Sequence, residues 1–138
     1  MKQQILFIMI FFCSLLASGQ NTFDLIVKVE NIKEVKGSLM IAIYDHEDHF
    51  LVKEVMGKRK AIESNQIEFL FEGLGKGTYA VSLFHDENDN GELDSNFIGI
   101  PSEPYAFSNN AKGMFGPPSF EQCKFEIKGS AHEIVISL

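Results

Sequence analysis

Residues 67–85 read IEFLFEGLGKGTYAVSLFH, and their alternation decides the fold class. Ile67, Phe69 and Phe71 alternate with Gln66 and Glu68, and after the glycine-rich GLGKG come Tyr79, Val81, Leu83 and His85 at the same period of two. That period places one face of an extended chain on a core and the other toward water. The stretch is expected to form two adjacent strands joined by a short turn. Working toward the N-terminus, Leu39, Ile41 and Ile43 alternate with Met40, Ala42 and Tyr44 behind Gly37. Both faces are apolar there, which suits a central strand. Phe23, Leu25, Val27 and Val29 alternate with Asp24, Lys28 and Glu30, the pattern of a half-buried strand. Toward the C-terminus, Phe120–Lys128 and His132–Leu138 flank Gly129-Ser130 as a last pair of strands, with Ile134, Ile136 and Leu138 on one side.

Between these strands, 50–62 is less regular and breaks at Met56-Gly57, with Phe50 as its anchor on the core. Lys53, Lys58, Arg59 and Lys60 form the one basic cluster; lysines guarding an edge strand explain it better than a phosphate or acidic-polymer site. No stretch has a sustained helical period. The expectation is an all-β chain: a single β-sandwich of about seven strands, immunoglobulin-like or transthyretin-like.

The N-terminus has its own logic. Lys2, the apolar run Ile5–Leu16 and the small residues Ala17, Ser18 and Gly19 have the charge, length and cleavage chemistry of a secretory signal peptide, residues 1–19. Cleavage after Gly19 leaves 20–138 as one exported domain, periplasmic or secreted, without a membrane span. Losing Lys2 takes the net charge from −7 to −8, which disfavours nucleic acid as a partner, since binding it relies on basic side chains. The mature chain keeps one cysteine, Cys123, so no internal disulfide forms. Cys123 is read as a small apolar residue in a strand beside Phe125 and Ile127, not as a reactive thiol.

The richest chemistry follows His85. Residues 85–94 read HDENDNGELD, with side-chain oxygens on Asp86, Asn88, Asn90 and Asp94, Gly91 at the sixth position from Asp86 and the Glu92 carbonyl at the seventh. This is the first half of a calcium loop; the twelfth position is Phe97, where a bidentate glutamate would stand. Five oxygen donors are too few, so a further ligand is expected from Glu103, Asp89 or Asp45. The plain alternative is a turn in which Asn and Asp cap their own backbone. Ca2+ is the expected ion, with Asp86, Asn88, Asn90, Glu92 and Asp94 as its ligands. His46 and His49 lie too close together for a helical zinc motif and are read as solvated, and His85 either orients a loop carboxylate or is a core or rim histidine.

Residues 86–119 join two strands without an obvious strand of their own, an unusual length for a connection. Phe97, Ile98, Ile100, Tyr105, Phe107, Met114 and Phe115 give this stretch an apolar complement, and four prolines stiffen it. It is expected to form an ordered cap over one end of the sandwich, its aromatics packed as anchors. The run YAVSLFHDENDNGELDSNFIGIPSEPYAFSNNAKGMFGPPSFEQCKFEI, residues 79–127, resembles the bacterial domain-of-unknown-function 2141 family of small exported proteins, and GSLMIAIYD upstream extends the likeness. The resemblance implies an exported β-sandwich and supplies no reaction, substrate or catalytic residue.

The expected role is therefore that of a non-catalytic module of the cell envelope, stabilised by calcium and meeting an envelope protein or glycan. Two alternatives stand beside it. One is a hydrolytic enzyme with its site under the 95–119 cap, for which Ser108, His85 and Asp94 would be the set to bring together. The other is a glycan- or peptide-binding module using Tyr105, Phe107 and Phe115, betrayed by rings lining an open groove instead of rings buried in a core.

Overall fold

The computed structural model describes residues 21–138; the segment 1–19, read above as a signal peptide, lies outside the described residues. Among the described residues eight strands make two sheets, one strand more than expected. They are β1 (Thr22–Glu30), β2 (Ser38–Tyr44), β3 (Met56–Ala61), β4 (Ile67–Gly75), β5 (Gly77–Asp86), β6 (Tyr105–Phe107), β7 (Phe125–Ile127) and β8 (His132–Ser137). The first sheet has the order β4-β1-β8; the second has β3-β2-β5-β6, with β7 also paired to β5. β1 and β8 are parallel, whereas β1 and β4, and the pairs of the second sheet, are antiparallel.

One apolar cluster takes the inward residues of both sheets: Leu25, Val27 and Val29 from β1, Leu39, Ile41 and Ile43 from β2, Phe69 and Phe71 from β4, Val81 and Leu83 from β5, and Ile136 from β8. Phe69 and Phe71 are fully buried, each contributing about 2–3 kcal/mol of hydrophobic stabilisation. The alternation read from sequence therefore selects the core face correctly. Its pairing partner is another matter. β4 and β5 do not form a hairpin: β4 pairs β1, β5 pairs β2, and the chain changes sheet at Lys76. Both strands turn their apolar side chains to the same core, but from opposite sides of it. The last pair separates likewise, β7 going to β5 and β8 to β1.

Three further expectations are corrected. Met56-Gly57 opens β3 and does not break a segment. The stretch before Lys124 is a turn of helix, α1 (Phe120–Cys123), because Ser119 caps it and Gln122 reaches back in a reciprocal capping box. Cys123 thus ends a helix, though its burial is as expected. The 86–119 connection does hold a strand: β6 pairs Ser82–Phe84 of β5, end to end with β7 along the same edge.

The basic cluster divides by strand parity. Lys58 Nζ donates to the Leu70 carbonyl and Lys60 Nζ to the Glu68 carbonyl at 2.6 Å, both on the edge strand β4. Each ammonium also sits over a core ring, 5.2 Å from the centroid of Phe71 and 5.3 Å from that of Phe69. The two lysines close one side of the core and occupy edge carbonyls that another chain would otherwise pair with. Arg59, between them, points the other way, toward the loop after β5.

Candidate functional site

The loop 86–94 leaves β5 at a fixed place because β2 and β5 meet there closely. A Cβ on Gly37 would lie 2.1 Å from the Asp86 carbonyl oxygen, and Gly37 has a φ of +63°, so only glycine lets the two chains approach. His85 is 1% exposed, and its Nε2 lies 2.8 Å from the Lys36 carbonyl. This partner is backbone, not a loop carboxylate.

Asp86 is fully buried and is the hub of the turn. Its Oδ1 accepts from the Asn90 N–H at 3.1 Å and its Oδ2 from the Gly91 N–H at 2.8 Å. Arg59 lies 4.0 Å from Asp86 Oδ2 and 2.7 Å from Asp89 Oδ1. Asn88 Oδ1 accepts from the Asn90 N–H and Asn90 Oδ1 from the Glu92 N–H, two successive Asx turns. Gly91 takes the positive φ expected of it, +83°, and Asp89 also sits at +59°. Asp94 collects the two amides, accepting from Asn88 Nδ2 at 2.6 Å and Asn90 Nδ2 at 3.0 Å.

Glu103, nine residues beyond the end of the turn, reaches back into it. Its Oε1 accepts from the Glu87 N–H at 2.8 Å and its Oε2 from the Asp94 N–H at 3.0 Å, while the residue is only 7% exposed. One carboxylate thus bridges the entry and the exit of the loop. Asp89 is tied outward: it accepts from Ser38 Oγ at 2.6 Å and from Arg59, and these bonds, Ser38 first, hold its pKa below the ordinary aspartate value. Asp45 lies in another loop, 3.8 Å from His49.

The structure therefore brings Asp86, Asn88, Asn90 and Asp94 together, bonded to one another or to the turn's backbone. Glu92 contributes an amide to the turn. Among the described residues, no group of three or more His, Cys, Asp or Glu side chains converges as for a metal ion. As a test of fit, the acidic oxygens at hand accept protein N–H groups, and the two asparagines face Asp94 with nitrogen. Rotation of these amides would turn their oxygens inward, but would interrupt the Asx bonds.

Ser108 is buried, its hydroxyl accepting from the Val81 N–H at 2.9 Å and donating to the Cys123 carbonyl at 2.6 Å. Neither it nor His85 has the other as a partner. Burial pushes the Cys123 thiol up to about 11, the state of an unreactive core residue. His46 and His49 are exposed.

The cap aromatics are where the structure departs furthest from expectation. Phe107 is buried, packed with Ala80, Cys123, Phe50 and Phe120 in a second small core. The others are largely uncovered: Phe115 and Phe97 are 99% exposed, Met114 89%, Ile98 64% and Ile100 55%, and Tyr105, edge-on to Phe107 at 6.0 Å, is still 45% exposed. Most of these side chains wall an open groove of about 900 Å³ over the outer face of the second sheet, floored by Tyr44, Ser82 and Phe84. None of its lining residues is charged. Apolar residue counts cannot distinguish a packed cap from such a groove, because the same side chains serve either purpose.

No helix among the described residues is long and apolar enough to cross a membrane. Neither a curated protein nor a solved structure matches the chain. Residues 27–135 match the family model described as an uncharacterized protein conserved in bacteria, DUF2141. This span covers β2 to β7 in full, parts of β1 and β8, the Asp86–Asp94 turn and the whole groove, and the chain belongs to that family.

Proposed function

We propose that this is an exported, non-catalytic module of the bacterial cell envelope that binds a partner across the groove between the 96–100 and 113–116 turns, on two sheets arranged as a β-sandwich. The observation that carries the reading is the groove itself. A volume of about 900 Å³ is that of a ligand site, and large apolar side chains held at up to 99% exposure are a cost that packing does not offset. Its wall favours apolar partners over glycans: Tyr44, Ser82 and Tyr105 are among its few polar side chains, whereas sugar recognition needs several convergent polar groups. The test is fluorescence of 8-anilinonaphthalene-1-sulfonate with native protein at about 1 µM, where self-association is minimal. Enhancement that is lost in Phe115→Ser supports the reading. No enhancement by the wild-type chain would count against it. Export is checked by intact mass, which should begin near Gln20.

A second reading places a calcium ion in the Asp86–Asp94 turn. It is favoured by the convergence of Asn88, Asn90 and Asp94 to within 2.6–3.0 Å and by a fully buried Asp86 whose nearest cation is 4.0 Å away. Asp86, Asn88, Asn90, Asp94 and the Glu92 carbonyl would hold the ion, which would relieve repulsion among acids in an acidic chain. Calorimetric titration with calcium should give one site that Asp86→Ala removes. Absence of heat, with melting curves that superimpose in calcium and in chelator, would leave the loop a self-capped turn.

A further inference from the structure

We propose that the occupant of the groove is a second copy of this chain, in a two-fold pair where the Met114–Phe115 tip of each copy enters the groove of the other. The inference rests on reading the groove as a binding surface. A two-fold interface uses one patch twice, so it needs protrusion and recess on the same face. Both are present. The first wall is the 96–100 turn, closed by Asn96 N–H to the Ile100 carbonyl at 2.8 Å and Gly99 N–H to the Asn96 carbonyl at 2.9 Å. Asn96 Oδ1 also accepts from the Ile98 and Ile100 N–H groups, at 3.1 and 3.0 Å. The second wall is the turn at 113–116, so tight that a Cβ on Gly113 would lie 1.8 Å from the Gly116 carbonyl oxygen. Ile98, Ile100 and Phe115 thus stand on turns fixed before any partner arrives, which lowers the entropy lost on binding.

Area and charge select the partner. Phe115, nearly fully exposed, presents about 200 Å², and with Met114, Ile98, Ile100 and Tyr105 the groove's walls approach the roughly 800 Å² per partner of a standard interface. Residues 95–119 contain only two charged side chains, Glu103 and Lys112, and Glu103 is turned into the loop. The groove's own lining carries no charge, so two copies meeting there bury none, while Glu54, near Tyr44, and Glu92 and Asp94, on either side of Leu93, stay at its margin. An anionic bilayer offers no such match, because it would meet an acidic protein with a single lysine on its contact face.

Sedimentation equilibrium of the protein recovered from the exporting cell, from about 1 to about 300 µM, should show a monomer–dimer equilibrium. Met114→Ser and Phe115→Ser, which alter groove side chains that are 89% and 99% exposed in the monomer, should each raise the dimer Kd by about tenfold or more. A monomer throughout this range overturns the proposal, as does a dimer indifferent to both variants. If the monomer still binds 8-anilinonaphthalene-1-sulfonate in a Phe115-dependent way, only self-association fails, and the groove takes another apolar ligand. Should it do neither, the binding reading fails as well. Co-sedimentation of a monomer with phosphatidylcholine vesicles, lost in Phe115→Ser, would assign the face to a bilayer and overturn the pair.

Discussion

Glu103→Ala removes the carboxylate that bridges the two ends of the Asp86–Asp94 turn, and its cost follows from two bonds. The Glu87 and Asp94 N–H groups, at 2.8 and 3.0 Å, each lose a charged acceptor. A hydrogen bond to a charged group contributes about 1.5–3 kcal/mol when fully buried. Water can reach these part-buried amides once the side chain is gone, so about 1 kcal/mol each is the better figure. A total of about 2 kcal/mol lowers the melting temperature of a domain this size by roughly 8 °C. Glu103→Gln, which keeps one acceptor oxygen, should lose about half as much. The assay is thermal unfolding by circular dichroism, in chelator and again in calcium. A bridging carboxylate produces the loss in both solutions, whereas a carboxylate acting as a calcium ligand produces it only when calcium is present. A Glu103→Ala chain melting within about 2 °C of wild type in chelator would refute the bridge.

Other outcomes follow from the same geometry. Gly37→Ala should destabilise by about 3 kcal/mol, the combined effect of a positive φ and a clash with the Asp86 carbonyl, measurable by urea unfolding; an unaffected midpoint would mean that β2 and β5 are not so close. Asp89, with its pKa depressed by Ser38 and Arg59, supplies stability that is complete above the ordinary aspartate value, about 3.9, and disappears as pH falls through the lower folded value. Carboxyl NMR titration should show that low midpoint, and Arg59→Ala should move it upward. Cys123, buried and pushed up to about 11, should resist iodoacetamide in the native protein at pH 8 and react once unfolded.

The period-two signal located the core face of β1, β2, β4 and β5 because burial on one side of a sheet imposes it directly. It carries no record of which strand lies alongside. Ile67–Gly75 and Gly77–Asp86 have the appearance of a hairpin in sequence, yet they enter different sheets, since a glycine-rich link serves a sheet change as well as a turn. Near Ser119 a usable signal was present: serine followed three residues later by glutamine marks a capping box, and the short helix there was legible from it. The turn at Asp86–Asp94 was legible for a similar reason, its Asn, Asp and Gly positions each demanded by local backbone geometry. Glu103 is a candidate ion ligand on the sequence, and the structure does bring it to the turn; its role as acceptor was not legible, because its partners are backbone amides 16 and 9 residues away, which every residue type but proline offers. The exposure of Phe97 and Phe115 was illegible too: hydrophobic content measures a wish for cover and not whether the chain provides it.

The most direct test of the binding-surface account compares Phe115→Ser with Phe107→Ser at about 1 µM protein, by melting temperature. Phe107 is 6% exposed in the second core and should cost about 3 kcal/mol or more, roughly 12 °C. Phe115, 99% exposed, should leave the melting temperature within about 2 °C of wild type, since its ring contributes to binding and not to the monomer's core. A loss in Phe115→Ser comparable to that in Phe107→Ser would contradict the account and restore the aromatics to a packed cap.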